Sequence, residues 1–334
     1  MTTVYIPDPV ASLAPFDDER VAAEAGGAEL VLGDQANPTI HDAEIILTTW
    51  MRFSPEVIRT LERCQLIVRY GIGVDTIDLD AATESGIVVA NAPTYCVPEV
   101  ADHASALILT LARRIPWLDR QVRAGEWVSA QQRFWGVRRF SELTLGIVGL
   151  GKIGSQVAKR LAPFGCRILG FDPFLSDEQI RARGGEPSSL DQLMQASDLV
   201  TLHVPLTPQT RHLIDESKLA LMKPSASIIN TSRGPVIDES ALIRALQENR
   251  LFGAALDVLA QEPPAPDNPL LSMDPQRVIL TPHFAASSEQ VHPAVHREVS
   301  LSVAAVLAGR WPDAAMNPTV MPKKPLIRIA DRRL

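Results

Sequence analysis

The sequence predicts an α/β protein built on two parallel β-sheets, and three features carry that prediction. Short apolar runs bounded by Gly, Pro, Asp or Asn recur along the 334-residue chain, as expected of strands covered on both faces. Longer stretches of helical period separate them, so each strand is followed by a crossover leading to a parallel neighbour. The runs fall into two series, parted near residues 91–98, where Pro93 and Pro98 interrupt regular structure. At roughly 100–200 residues per domain, the length also suits two domains.

In the first series, residues 4–6, 44–47, 66–68 and 87–90 read as strands, with a helix over 55–63. A long helix with closely spaced alanines follows at 99–113. The second series places strands at 145–148, 167–171, 199–202, 227–229, 253–256 and 278–280, with helices at 152–164, 190–196 and 239–248. Past Thr281-Pro282-His283 a further helix covers 287–309. A helix of about 20 residues reaches about 30 Å, enough to cross between two domains. The basic residues of the tail, Lys323, Lys324, Arg328, Arg332 and Arg333, read as a solvated end.

Composition narrows the function classes. The chain is 46% apolar and 21% charged, which suits packed cores and excludes disorder as the main state. Its formal net charge of −7 disfavours a general nucleic-acid binder, which needs a cationic surface, but leaves room for a small anion in a local positive pocket. Cys64, Cys96 and Cys166 cannot all pair and form no C-x-x-C, so reduced thiols of a cytoplasmic protein are expected, with no metal site. The first residues lack the cationic and apolar regions of a signal peptide. The apolar stretch 104–112 is too short to span a bilayer, so no membrane partner is expected.

The strongest local signal is Gly149-Leu150-Gly151-Lys152-Ile153-Gly154. It follows an apolar strand and opens an amphipathic helix, and Asp172 ends the next strand at the spacing of the dinucleotide-binding fingerprint. Gly149 permits the tight turn, Gly151 lets backbone approach a pyrophosphate at the helix N-terminus, and Gly154 permits close helix–strand packing. Asp172 can accept from ribose hydroxyls and would repel a 2′-phosphate. Pro173 and Phe174 follow it with no arginine nearby in the chain, which points to NAD over NADP.

Three polar residues each follow a strand of the second series: Arg233, Glu262 and His283. In an open parallel sheet ligands bind beyond the carboxyl ends of the strands, so the three can converge. Arg offers a fork of donors to a carboxylate and a keto oxygen. His passes protons near neutral pH, and a neighbouring Glu favours its imidazolium form. Singly, each is as well read as a structural histidine or a surface ion-pair member; together, downstream of a nucleotide fingerprint, they suit hydride chemistry at a 2-keto acid.

Seven ordered blocks resemble the D-isomer-specific 2-hydroxyacid dehydrogenases: Tyr70-Gly71-Ile72-Gly73-Val74-Asp75, Glu99-Val100-Ala101-Asp102-His103, the glycine motif, His203-Val204-Pro205-Leu206-Thr207, Asn230-Thr231-Ser232-Arg233-Gly234, the segment from Asp257 to Pro263, and Thr281-Pro282-His283. Residues 68–75 and 93–103 are most similar to the branch that includes the C-terminal-binding-protein corepressors. Thr76 and the segment 138–144 depart from the family pattern.

The resemblance implies two Rossmann/flavodoxin-like domains, with a nucleotide domain (97–282) inserted into a substrate domain (1–96 and 283–334) and the active site in the cleft between them. It implies a catalytic trio of Arg233, Glu262 and His283. Further cofactor contacts fall on Ile72, Lys152, Ile153, Asp172, Val204, Pro205, Thr231, Ser232, Asp257 and the backbone after His283, at Ala285. Asp257 would accept from the nicotinamide carboxamide. Backbone N–H groups of Gly71, Ile72, Gly73 and Val74 would hold the substrate carboxylate. The expected activity is hydride transfer between NAD(H) and C2 of a 2-keto or D-2-hydroxy acid. Homodimers would form through the 99–113 helix and the 115–127 segment. No appended regulatory domain is expected after the last helix. Trp50, Met51, Arg52, Arg69, Tyr95 and Trp135 are candidates for lining the substrate pocket, with ordinary packing an equal reading for each. An NAD(H)-sensing regulatory protein with little turnover, and a nucleotide-binding protein that catalyses nothing, are the competing readings.

Overall fold

The computed structural model describes residues 2–33, 39–127 and 137–328. The chain divides into two compact units, Met1–Cys96 with Ser288–Leu334, and Val97–Ser287.

The first unit holds five parallel strands, β1 (Thr2–Ile6), β2 (Ala28–Leu32), β3 (Ile45–Thr48), β4 (Leu66–Arg69) and β5 (Val88–Ala90), in the order β2-β1-β3-β4-β5. Every residue of β3 and β4 is buried. Their side chains alternate between two cores: Ile45, Leu47, Leu66 and Val68 enter one, Ile46 and Ile67 the other, as a period of two requires. The Val291–Leu307 helix seals the first core with Val295, Val299, Val303 and Val306, a stripe of helical period. Each such valine contributes about 1.5–3 kcal/mol by leaving water.

The second unit holds seven parallel strands: β6 (Thr144–Val148), β7 (Arg167–Phe171), β8 (Glu186–Pro187), β9 (Leu199–Leu202), β10 (Ser227–Asn230), β11 (Gly253–Leu256) and β12 (Val278–Leu280). Their order is β12-β11-β10-β9-β6-β7-β8. The chain runs outward from β6 to β8, then returns to β9 on the other flank of β6. Two adjacent strands thereby send their connections to opposite sides, and a crevice opens beyond their carboxyl ends. Consecutive residues of β10 and β11 again face opposite cores, Ile228 and Ala254 one, Ile229 and Ala255 the other. The Val97–Ala112 helix buries Ala101, Ala104 and Ile108 in the second of these, together with Val157 and Ala158 of the Lys152–Leu161 helix; the small alanines let the two helices approach closely.

The structure adds elements the pattern did not signal. Strand β2 is an edge strand whose burial alternates, so it lacks the continuous apolar run of a covered strand. The Asp17–Ala25 helix before it carries few buried positions. The helix read over 152–164 closes at Leu161 and continues as a tighter turn, Ala162–Phe164, around Pro163. The last long helix starts at Val291 rather than 287.

The second boundary between units lies after Ser287, whereas the sequence reading set it before His283. Hydrogen bonds explain the difference. The backbone N–H of His283 donates to the Asp257 carbonyl (2.8 Å), and those of Phe284 and Ala285 donate to the Asp257 carboxylate (2.8 and 2.9 Å). The segment after β12 is therefore pinned to the unit that contains β11, and His283 belongs to it.

Candidate active site

The glycine turn between β6 and the Lys152–Leu161 helix is shaped by close approaches. Gly149 has φ +90°, and a side chain there would meet the His203 carbonyl after β9 at 2.6 Å. A Cβ on Gly154 would lie 2.0 Å from the Gly149 carbonyl oxygen. Gly151 differs: a Cβ there meets nothing within 4 Å among the described residues. It caps the helix without a side-chain hydrogen bond, so the first-turn N–H groups, at the positive end of the helix dipole, face an open cradle. Lys152 and Ile153 form that first turn.

Leu150, between the glycines, is fixed on both sides. Its N–H donates to Asp172 Oδ2 (3.0 Å), and its carbonyl accepts from Arg183 Nη1 (2.6 Å). Asp172 Oδ1 accepts from the Phe174 N–H (3.0 Å). One carboxylate thus ties the end of β7 to the turn after β6 and still has acceptor capacity for a ribose. The sequence reading finds no arginine beside Asp172. The structure brings Arg183, from the end of the next helix, onto Leu150; the ten positions between Asp172 and Arg183 hide that approach from a linear scan.

Beyond β9, burial pushes the His203 imidazole down to about 3, so it is neutral at pH 7, paired with Thr201 Oγ1 (3.0 Å). Val204 and Pro205 follow it. Beyond β10, Asn230 organises the next turn: Oδ1 accepts from the N–H and hydroxyl of Ser232, and Nδ2 donates to the Arg233 carbonyl (3.0, 2.8 and 2.9 Å). The buried Thr231 Oγ1 has no hydrogen-bond partner among the described residues. Gly234 lets this turn close on the next, since a Cβ there would fall 1.9 Å from the Leu259 carbonyl oxygen.

That closure brings the trio together. Glu262 Oε2 lies 2.6 Å from His283 Nδ1, while Oε1 accepts from the Leu259 N–H at 2.9 Å. Burial pushes the Glu262 carboxyl up, but His283, the Leu259 N–H and the Arg233 charge together outweigh it and hold it below the usual carboxylate range. His283 and Glu262 retain side-chain exposures of 28% and 35%, so the pair opens to a ligand. His283 has φ +53°, an uncommon conformation for a non-glycine residue, and its N–H bonds to Asp257 and Thr281 maintain it. Asp257, 2% exposed, lies behind it. The Ala285 N–H is engaged by Asp257, so a cofactor contact there would use its other atoms.

Residues 71–74 belong to the other unit. Gly71 has φ +151°, and its N–H donates to the Arg69 carbonyl (2.9 Å). It is therefore not available as an anion donor. The N–H groups of Ile72, Gly73 and Val74 meet no backbone acceptor among the described residues, while the Ile72 carbonyl is held by Asn91 Nδ2 (2.6 Å). Nearby, Asp8 Oδ2 accepts from the N–H groups of Trp50 and Met51 (2.6 and 2.8 Å), and Arg69 lies over the Trp50 ring. Trp135 falls outside the described residues.

These residues fit a dinucleotide: an uncapped helix N-terminus with an open cradle at Gly151, a carboxylate at the end of β7, and a buried hydroxyl at Thr231 that meets no partner among the described residues. Residues 105–285 match the model of the NAD binding domain of D-isomer specific 2-hydroxyacid dehydrogenases. The chain belongs to this family. Within it, a D-3-phosphoglycerate dehydrogenase of Methanocaldococcus jannaschii is 39% identical over 331 residues, 98% of this chain and 61% of that protein. A glyoxylate reductase of Korarchaeum cryptofilum is 39% identical over 272 residues, 81% of each. The solved structure of a D-lactate dehydrogenase from Aquifex aeolicus, complexed with NAD and lactic acid, superimposes with a TM-score of 0.82 at 31% identity, covering 92% of this chain and 96% of that one. The chain spans about half to three fifths of the length of the phosphoglycerate dehydrogenases it matches. Membership assigns the second unit as the family's NAD-binding domain.

Sequence reasoning missed Asn230, Thr281 and His103 as parts of the site. Asn230 had a signal, an Asn ending an apolar strand before a turn. Thr281 and His103 had none beyond their places in the quoted blocks, because their contact joins residues 178 positions apart.

Proposed function

We propose that the chain is an NAD-dependent D-2-hydroxyacid dehydrogenase that interconverts a small 2-keto acid and the corresponding D-2-hydroxy acid. The observation that carries this reading is the 2.6 Å contact of Glu262 with His283, with the Arg233 charge acting on the same carboxylate. NADH, when bound, supplies the hydride that C2 of the keto acid accepts. Glu262 holds Nδ1 of His283 and so orients the ring, and the proton passes from Nε2 to the oxygen that develops negative charge. Arg233 binds the substrate carboxylate and polarises the keto group. In the first unit, the N–H groups of Ile72, Gly73 and Val74 are the donors that we assign to a carboxylate. In the oxidative direction His283 takes the hydroxyl proton as the hydride leaves C2.

Asp172 favours NAD over NADP by accepting from the ribose hydroxyls. The Ile115–Arg123 helix and Trp127 leave Ile115, Leu118, Val122 and Trp127 exposed, and a second copy of the chain is the partner we assign to that apolar face. Among the described residues no helix is long and apolar enough to cross a membrane, and Cys64, Cys96 and Cys166 form no disulfide. We read the chain as a cytoplasmic enzyme that acts on small acids.

The test is NADH oxidation at saturating pyruvate, glyoxylate, hydroxypyruvate and 2-ketoisocaproate. Turnover of at least one acid is expected, lowered on the order of 10²–10⁴-fold by His283→Ala, with NADH still bound. Tight NADH binding without turnover of any acid would favour a sensing role instead.

A further inference from the structure

Behind the Asp257 carboxylate lies His103, on the Val97–Ala112 helix, a residue without a part in the reaction described above. Its Nε2 is 3.1 Å from Thr281 Oγ1, and Thr281 Oγ1 is 2.5 Å from Asp257 Oδ1. The Asp257 side chain is 1% exposed, that of His103 22%.

The direction of these bonds follows from counting hydrogens. A threonine hydroxyl has one hydrogen and two lone pairs. A carboxylate only accepts, so that hydrogen is given to Asp257. Thr281 Oγ1 must then accept from His103, and Nε2 carries a proton. The chain runs His103 Nε2–H to Thr281 O–H to Asp257 Oδ1. Oδ1 also receives the Phe284 N–H (2.8 Å), and Oδ2 receives the Ala285 N–H (2.9 Å). These donors leave acceptor capacity on Oδ2.

We propose that His103 is a positioning residue for the nicotinamide. By filling the lone pair of Thr281 it fixes the hydroxyl rotor, and the rotor fixes the plane of the Asp257 carboxylate, so that Oδ2 is aimed at the carboxamide N–H of the cofactor. Without the donor on His103, the Thr281 hydroxyl keeps only one of the two contacts that fix its rotor, its bond to Asp257 weakens, and the carboxylate loses its orientation. The same carboxylate takes the Thr281 hydroxyl before the strained His283 and the backbone N–H groups of Phe284 and Ala285 after it, so one network aligns the cofactor ring and the proton donor. This inference rests on the dehydrogenase reading and adds to it a residue that touches neither substrate nor cofactor.

Two variants separate positioning from packing. His103→Leu keeps the bulk and removes the donor; His103→Gln keeps an N–H near the place of Nε2. Binding of NADH and of reduced 3-acetylpyridine adenine dinucleotide, whose methyl ketone has no amide N–H, is measured by fluorescence titration. His103→Leu should weaken NADH about fivefold to thirtyfold, the loss expected for one such hydrogen bond. It should leave the acetylpyridine analogue nearly unchanged, and His103→Gln should restore the discrimination. Equal discrimination in wild type and His103→Leu, or equal weakening of both dinucleotides, overturns the proposal alone. A wild-type protein that binds neither dinucleotide overturns the nucleotide reading along with it.

Discussion

Replacing Gly151 by alanine should separate cofactor binding from folding. The residue has φ −67° and ψ −154°, extended backbone at a negative φ, and the added methyl meets no atom of the described residues within 4 Å. Fold stability should change by less than about 1 kcal/mol, and an increase is as reasonable as a decrease, because alanine narrows the unfolded ensemble. The methyl instead occupies the cradle at the helix N-terminus, where a pyrophosphate must approach the backbone. Displacing two charge-assisted hydrogen bonds, each about 1.5 kcal/mol, costs about 3 kcal/mol, or roughly a hundredfold in affinity. Gly154→Ala is the contrast. Its methyl would sit 2.0 Å from the Gly149 carbonyl oxygen, and overpacking of about 1–3 kcal/mol should lower the melting temperature by on the order of 5–10 °C. Thermal melts and NADH fluorescence titrations of both variants decide the matter. A Gly151→Ala protein with wild-type NADH affinity, or one that melts as early as Gly154→Ala, would refute the reasoning.

Three other outcomes are expected. His203 is held neutral by burial, with its ionisation pushed from 6.5 to about 3; the unfolded chain therefore binds more protons between those values, and stability falls as pH drops through that window. His203→Asn should flatten the pH 6.5-to-3 slope of melting temperature, and an unaltered slope would show the imidazole is not buried as described. Glu262 is depressed below 4.5, so its contribution is present above that value and lost as pH falls through the lower, folded value. Melts of Glu262→Gln and wild type should thus differ at pH 6 and converge in acid, while turnover drops in the variant at every pH tested. Asp172→Ala removes the ribose acceptor and releases the backbone of Leu150 and Phe174. The preference for NAD over NADP should shrink by about tenfold or more in steady-state comparison, and retention of the full preference would exclude Asp172 as its source.

How far the linear chain is legible depends on how local the deciding physics is. Residues 145–148, 199–202 and 253–256 declare themselves as covered strands because burial on both faces leaves no polar alternation to confuse the reading. The fingerprint from Gly149 to Asp172 is likewise local: a turn that needs φ +90°, a close helix, and an acid one strand later. Strand β2 and the two-residue β8 are obscure for the opposite reason. Edge strands face solvent on one side and carry weak patterns.

The sequence by itself determined the residue types of the site and the strand ends at which they lie, because a parallel sheet gathers its carboxyl ends on one side whatever the intervening helices contain. Only the tertiary structure decided which groups share a hydrogen bond. The contacts of Arg183 with Leu150, Gly234 with Leu259, and His103 with Thr281 are set by helix packing and turn closure between distant segments. Such contacts leave no periodicity in the chain, since each depends on a side chain's reach and direction in space rather than on its spacing in sequence. The placement of His283 within the nucleotide-binding unit follows from the same cause: three backbone bonds to Asp257, formed across the sheet, outweigh its position at the end of the second strand series.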